Sequence, residues 1–481
     1  MFRVLYKKEL MESVQNYRFL LALVLCLVII PLGFYVSQKD YQERRLAFDE
    51  RVKDYDQTRT TVNDLLRNGA AAFRPPAPLS FLSGGVETIL PNSVEGNISD
   101  EGTTVQFNNA RRIDFPFTYL FGRLDLTFIV STVLAVLVMI FSFNAVAGEK
   151  ERRTLAQTMA NAVPRPLVIT AKMAAGSTLL TVAFLAGTLA GILLTVVLGL
   201  DPFREPGTTA PFALAIGASL IFLLVFYSFG LLISSLSRSS ALAMVVLLSS
   251  WVALAMILPK GSVVAAKLLR PVKSQQVIDL EKNQVRLQID AEIAAAIKKL
   301  AQSTPGIKEM STDEYFKQLK ANSAAVEAFE KAQERLKSGF TARLSAEQGK
   351  IDAELERQRG RQAALARNMS RLSPVSCLVH VMTELAGTGF VEEAAWRETR
   401  SGLQQVLDRE IASKTHAYTF GDLSYSGKDI DRNARAPKFP PQPVSLDKRL
   451  AAVGIDFALL AIYGILFFAG AYVAFLRYDV R

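Results

Sequence analysis

Cysteine, histidine and tryptophan are each present only twice in 481 residues, and these shortages remove several kinds of chemistry. Cys26 and Cys377 are far apart, and Cys26 lies inside an apolar run, so no intrachain disulfide is expected. His380 and His416 are the only imidazoles and no Cys pair has ligand spacing, so no metal site is expected. A Gly-x-x-x-x-Gly-Lys-Ser/Thr loop is missing. Gln348-Gly349-Lys350 is followed by Ile351 and lacks the leading glycine, so the chain has no phosphate cradle of its own. Gly-x-Ser-x-Gly and His-Glu-x-x-His do not occur either. No catalytic, cofactor-binding or metal-binding residue is therefore expected. Asn97-Ile98-Ser99 and Asn368-Met369-Ser370 match the glycosylation pattern, but matches this short arise by chance.

Charge is also scarce, at 21% of residues against 50% hydrophobic, and the formal net charge is +10. What is present instead is six long apolar runs, at 19–37, 124–147 (uncharged from Leu126), 173–200, 209–235, 239–259 and 457–476. Each is long enough to cross a bilayer core of roughly 30 Å as a helix, which satisfies every backbone polar group internally. The fold class expected is an α-helical integral membrane protein with six transmembrane helices. The fourth and fifth runs, separated only by about Leu236 to Arg238, form a tight hairpin.

Six crossings put both termini on one side, and lysine and arginine in the short flanks say which. Arg3, Lys7, Lys8 and Arg18 precede the first run; Lys150, Arg152, Arg153, Arg165 and Lys172 lie between the second and third; Arg238 sits in the hairpin; Arg477 and Arg481 end the chain. Both termini (1–18 and 477–481) and the 148–172 loop are thus assigned to the cytoplasm, and 38–123 and 260–456 to the outside. The first run offers no small-x-small cleavage site at Ser37-Gln38-Lys39, so an uncleaved span is expected. Before it, Phe2, Leu5, Tyr6, Glu9, Leu10 and Val14 recur at helical spacing, which predicts an amphipathic helix on the inner leaflet. The basic excess flanks apolar segments, so the partner it implies is the lipid bilayer and no nucleic acid.

The two outside segments differ. Tyr41 through Arg67 continues the first span as a charged helix, Asn68-Gly69 ends it, and Pro75-Pro76 forbids more. Turn signals at Pro91-Asn92, Glu95-Gly96 and Glu101-Gly102 around stretches such as Thr103 to Phe107 make 38–123 a mixed α/β module. The 260–456 segment reads as mainly helical: Val277 to Ala301, a break at Thr304-Pro305-Gly306, Asp313 to Leu336, Ala342 to Leu372, Val375 to Leu385 and Trp396 to Ile411. The Pro-rich stretch from Pro437 to Pro443 returns as a strand or strap.

The 148–172 loop carries the most information. Glu149, Lys150, Glu151, Arg152, Arg153, Thr154 and Leu155 open it, Met159 shares a face with Leu155, and Pro164-Arg165 leads on to Ala171-Lys172. A short charged helix between two spans is what a membrane protein needs to receive push and pull from a soluble partner. This pattern resembles that of the type-2 ATP-binding-cassette (ABC) transporter permeases, roughly Glu-Lys-Glu-x-Gly-Thr-Leu, then Pro-x-Ser/Pro-Arg, then Gly-Lys. The match is at Glu149, Lys150, Glu151, Thr154, Leu155, Pro164, Arg165 and Lys172; Arg153 and Ala171 stand where the family usually has Gly. Ser234 to Ser240 resembles the family's tight hairpin between the fourth and fifth spans, and Leu372-Ser373-Pro374, Leu385 to Gly389 and Phe475 to Arg481 are similar to a bacterial subgroup with large extracytoplasmic insertions.

The resemblance implies a non-catalytic permease in the bacterial inner membrane. It implies a separate ABC ATPase that holds ATP and Mg, with no cofactor on this chain, and a second permease copy as homodimer or related heterodimer. The helix at 149–160 would be the coupling helix, made more regular by Arg153 in place of Gly, and the N-terminal helix would brace it. Almost no ionisable residue lies within the spans, which favours export of a hydrophobic or amphipathic substrate over an ion relay. The large 260–456 segment leaves a second use open, mechanical transmission to a periplasmic partner without transport. Gly187-x-x-x-Gly191 permits a close helix approach, either within the chain or between copies.

Overall fold

Helix is the expected outcome wherever an uncharged run must satisfy its own backbone in lipid, and six helices here are long and apolar enough to cross a membrane. The structure, a computed structural model, describes all residues except 16, 88–90, 100–101, 109–122, 161–162, 306, 308–310, 321–323, 408–417, 421–422, 426–432, 437, 439–443 and 479–481. It divides into two compact units, 1–260 with 370–481, and 261–369.

In the first unit α1 (Phe2–Val14) precedes α2 (Tyr17–Thr58). At 42 residues, α2 is about 60 Å long, twice the depth of a bilayer core, so its charged half from Asp40 onward extends past the apolar part. The expected helix of 41–67 breaks at Arg59 and Thr60. α3 (Val62–Asn68) restarts it because Thr61 and Asp64 form a reciprocal cap, Thr61 N–H to Asp64 at 2.9 Å and Asp64 N–H to Thr61 Oγ1 at 3.3 Å. Gly69, with φ +72°, then turns the chain into β1 (Ala70–Phe73).

β1, β2 (Ser93–Ser99) and β3 (Gly102–Asn108) form an antiparallel meander in which Ala72 faces Val94 and Val94 faces Phe107. Val94 and Val105 join Tyr55, Leu65, Trp396, Leu403 and Leu407 in a small core. The last three lie on or just beyond α14 (Phe390–Val406), so a segment far along the chain covers the sheet. The return segment also pairs here: Val62 N–H donates to Ala434 O and Ala436 N–H to Thr60 O. Most of the Pro437–Pro443 strap lies outside the described residues. A further hairpin joins β4 (Tyr418–Phe420) and β5 (Leu423–Tyr425).

The spans follow as α4 (126–142, with a π-helical stretch at Ile129–Leu134), α7 (Arg165–Val197), α8 (Thr209–Leu236), α9 (Ser240–Leu269) and α15 (Leu446–Arg477), with α5 (Ala147–Glu151) and α6 (Thr154–Ala160) between α4 and α7. The hairpin between α8 and α9 is as short as expected, with Ser239 capping α9 by accepting from Leu242 N–H. Gly187 and Gly191 bring α7 against α2 within the chain. A Cβ on Gly187 would stand 2.6 Å from the Cys26 carbonyl oxygen, and one on Gly191 2.9 Å from the Phe34 ring.

The sequence places α13 (Pro374–Ala386) in the outside domain; the structure packs it among the spans. Leu378, Val381, Met382 and Leu385 are fully buried in the core shared with α8 and α15. Thirteen residues make roughly 20 Å of helix, too short to read as a crossing. Gly387 in the left-handed region ends α13, and α14 departs at 46°. Where α13 begins, Asp456 of α15, fully buried, accepts both Nε and Nη2 of Arg371 at 2.9 Å and faces His380 Nδ1 at 3.1 Å. The 260–456 domain expected from the sequence is thus divided at Ser370.

The second unit, 261–369, is built on α10 (Gln275–Ser303), α11 (Thr312–Lys320) and most of α12 (Ala324–Ser370). The two helices expected at 313–336 and 342–372 are joined differently: α12 runs unbroken through Gly339, Gly349 and Gly360. Gln275 bonds Arg359, Lys282 pairs with Asp352 and Glu292 with Arg343, so α10 and α12 run antiparallel. Ile278, Ile289 and Leu355 supply their buried seam.

Gly187→Leu is expected to push α7 off α2 and cost about 1–3 kcal/mol, read as a lower unfolding temperature of the detergent-solubilised protein. An unchanged midpoint would show that the two helices do not need this approach.

Candidate functional site at the 147–165 elbow

The continuous helix expected over 149–160 is two helices. α5 stops at Glu151 and α6 starts at Thr154, because Arg153 takes φ +59°, the single left-handed non-glycine residue among those described. The expectation that Arg in place of Gly makes this helix more regular is therefore overturned. Arginine has high helix propensity, but the fold demands here the backbone conformation that glycine adopts without cost. The Thr154 hydroxyl spans the break by donating to the Glu149 carbonyl at 3.4 Å.

The elbow is tied to nearly every element that ends on this side of the bundle. Ser234 Oγ, at the end of α8, accepts from both Val146 and Ala147 N–H at 3.0 Å, satisfying donors that the start of α5 leaves open. Lys150 reaches the Ser235 and Ser237 carbonyls and lies 4.4 Å from the Tyr478 ring centroid. Ser240 donates to Glu151 at 2.6 Å. Arg165 donates to the Leu476 and Tyr478 carbonyls at 2.9 and 3.0 Å, holding the C-terminal end of α15. Leu155 is buried and Met159 half-buried against the main core, as their shared face predicts, and Pro164 caps α7.

The centre of this clamp is Lys172, only 4% exposed. Its ammonium lies 2.6 Å from Glu149 Oε1 and 3.0 Å from Glu9 Oε2, so one buried cation joins α5, α7 and α1. Tyr227 of α8 donates to the Lys172 carbonyl at 3.1 Å, and Gly176 leaves room for it: a Cβ there would fall 2.0 Å from the Tyr227 oxygen. Tyr6 adds a second α1 contact, donating to Thr178 at 3.1 Å. Glu9 carries a signal legible in the sequence, a carboxylate on the face of α1 that otherwise turns inward with Leu5, Tyr6 and Leu10. Lys172 stands in the motif without an evident role until the fold supplies its partners.

The site residues therefore separate by what they touch. Glu149, Lys150, Leu155, Met159 and Arg165 hold the elbow to the bundle. Glu151, Arg152, Arg153 and Thr154 are exposed in a row at its tip, where Glu151 also accepts the Ser240 bond that ties the tip to α9. Among the described residues no group of three or more His, Cys, Asp or Glu side chains is arranged to hold a metal ion; His416 lies outside them.

Lys172→Met strands two partly buried carboxylates, and the expected loss is about 3–5 kcal/mol, with Lys172→Arg recovering part of it in thermal unfolding. Arg153→Gly is expected to be neutral or to stabilise by up to about 1 kcal/mol, because left-handed arginine costs about 1–2 kcal/mol; Arg153→Val should destabilise. Equal stability of the glycine and valine variants would contradict the left-handed backbone.

No curated protein matches the chain. The family model described as "ABC-2 family transporter protein" matches residues 3–480, nearly its whole length. Members of that family are in general non-catalytic membrane subunits that work with an ABC ATPase. With six apolar helices, an elbow clamped between the second and third of them and a family match from end to end, this chain belongs to the ABC-2 family of transporter proteins and is a multi-pass membrane permease of an ABC transporter.

Proposed function

We propose that the chain exports, or extracts from the bilayer, a hydrophobic or amphipathic substrate, and that the 147–160 elbow is where a separate ATPase delivers its stroke. The observation that carries this reading is the elbow's division into a clamped base and an exposed tip. A soluble partner pressing on Glu151, Arg152, Arg153 and Thr154 pushes on a body fixed to α1, α7, α8, α9 and α15 at once. ATP and Mg sit on that partner, and a second permease copy completes the route. The termini and the elbow face the cytoplasm of a bacterial inner membrane, while 38–123 and 260–456, apart from α13 among the spans, lie outside it.

The scarcity of charge within the apolar stretches of the spans supports an apolar cargo. Lys172 and Asp456 stand at the margins of the apolar stretches, and each is held by partners, so neither offers a free relay for protons or ions. A second reading is favoured by the separate 261–369 unit and by Arg371, which follows it directly and is held by Asp456 of α15. In that reading the stroke moves the 261–369 hairpin against a periplasmic partner and nothing crosses.

Two experiments test these readings. Arg152→Glu with Arg153→Glu is expected to reduce ATPase recovered with the affinity-tagged permease about tenfold without lowering the unfolding temperature. Unchanged recovery removes the tip as docking surface. Charge reversal at Glu149 is a poorer probe, because it breaks the pair with Lys172. Replacing 271–369 with a short linker and measuring substrate-stimulated ATP hydrolysis in lipid separates the alternatives. Retained stimulation supports transport, whereas its loss in a folded, ATPase-bound complex supports mechanical transmission.

A further inference from the structure

α10 carries apolar stripes on two opposite faces. One, through Ile278 and Ile289, is buried against α12, and the pairs Lys282–Asp352 and Glu292–Arg343 flank it. The other runs through Val277, Leu280 and Leu287, which are 42, 62 and 70% exposed, and continues at Ala291 and Ala294, also exposed. At about 100° per residue its centre stands roughly 160° around the helix from Ile278 and Ile289, on the side turned away from α12. Among the described residues α12 exposes no large apolar side chain; its outer face carries Glu347, Lys350, Glu354 and Arg357, paired within the helix. A two-helix hairpin in water needs one apolar stripe per helix, so the second stripe of α10 exceeds what 261–369 buries on itself.

The spacing of this stripe selects its partner. Positions 277, 280, 284, 287, 291 and 294 alternate by three and four residues, as the a and d positions of a heptad do. Val277 stands at a, with Leu280 and Leu287 at d. A β-branched residue at a with leucine at d suits a parallel two-stranded seam, and a single polar a position, here Gln284, fixes its register. Pairing each g position with the next e position of an identical helix sets Gln276 against Glu281, Asn283 against Gln288 and Asp290 against Ala295. No like charges meet, so the stripe is compatible with its own copy. Glu281 is already paired with Lys273, and Asp290 with Arg286. About two heptads make a weak seam in free solution, but copies joined through their spans hold each other at about millimolar effective concentration.

We infer that the Val277 to Ala294 stripe of α10 meets the same stripe of a second copy of this chain in a short parallel seam, which ties the two 261–369 units together. The inference rests on the reading that a second permease copy completes the route.

The test uses the full chain. Leu280→Cys and Leu287→Cys are oxidised separately in membranes of the producing cells, with Arg286→Cys, on a different face of α10, as control. Cys26 and Cys377 are buried and do not compete. The number of copies per solubilised particle is read by light scattering. Disulfide-linked dimer is expected at both stripe positions about tenfold above the control. Adding Leu287→Lys to the Leu280→Cys chain should return it to the control level, because two lysines then face each other in the seam. Particles of two copies with cross-linking no higher than the control overturn the seam and leave the second-copy reading standing; lipid or another protein then covers the stripe. Particles of one copy throughout overturn both. Cross-linking that survives Leu287→Lys overturns the seam, since it reports collision between chains.

Discussion

A lysine ammonium removed from water must be met by anions, and the elbow is organised around that requirement. Lys172 is buried where α7 emerges from the apolar stretch, and its two carboxylates come from different elements, Glu149 from α5 and Glu9 from α1. Pairing of this kind contributes little net stability, because desolvation consumes most of the attraction, but breaking it is expensive. The consequence is geometric. No one of the three elements can move away without leaving a buried charge exposed to apolar surroundings, so they are constrained to move together. Ser234, Ser240, Lys150 and Arg165 extend the same constraint to α8, α9 and α15 through hydrogen bonds.

A second buried ion obeys the same rule toward the other end of α15. Asp456 takes a forked pair of hydrogen bonds from Arg371 and one contact from His380, fixing α15 to the start of α13. Residues 457–476 of α15 carry no charge between that joint and the end held by Arg165. A helix held by polar joints at both ends and by apolar packing along its length transmits displacement as a rod. Phe229 against Phe467 and Leu232 against Gly470 are that packing. In the proposed reading, this is how motion at the elbow reaches the residue at which 261–369 rejoins the chain.

The six spans were legible in the sequence because length and apolarity alone decide them, and the α8–α9 hairpin because its linker admits no other form. Leu155 and Met159 were legible from a spacing of four. The burial of α13 was not, since a helix of that length carries no crossing signal, and its apolar residues read equally well as the core of an outside domain. The ladder of charged pairs between α10 and α12 could be expected in kind but not in register. Lys172 shows the limit most plainly. Its partners lie 23 and 163 positions away, and no local pattern reports a contact that only the packing of α1 on α7 creates. The break at Arg153 ran against propensity, so reasoning from propensity had to miss it.

That break bears directly on the proposed docking surface. A left-handed residue divides 147–160 into a first helix that belongs to the bundle and a second that starts in a new direction. Without it, a regular helix would carry residues 152–154 on around the axis, placing them on successive faces 100° apart. With it, Glu151, Arg152, Arg153 and Thr154 are all exposed at one corner. Glycine would give the same corner at lower conformational cost but no side chain. Arginine accepts the strain and places a guanidinium at the apex. Strain at an exposed position persists when neighbouring contacts over-determine the backbone, and here they do: Ser234 and Lys172 fix α5 while Leu155 fixes α6. A neighbouring pair of arginines at a strained apex is suited to meeting carboxylates on a soluble partner, so in the proposed reading the position at which this chain departs from the family's usual glycine is also where it would meet its ATPase.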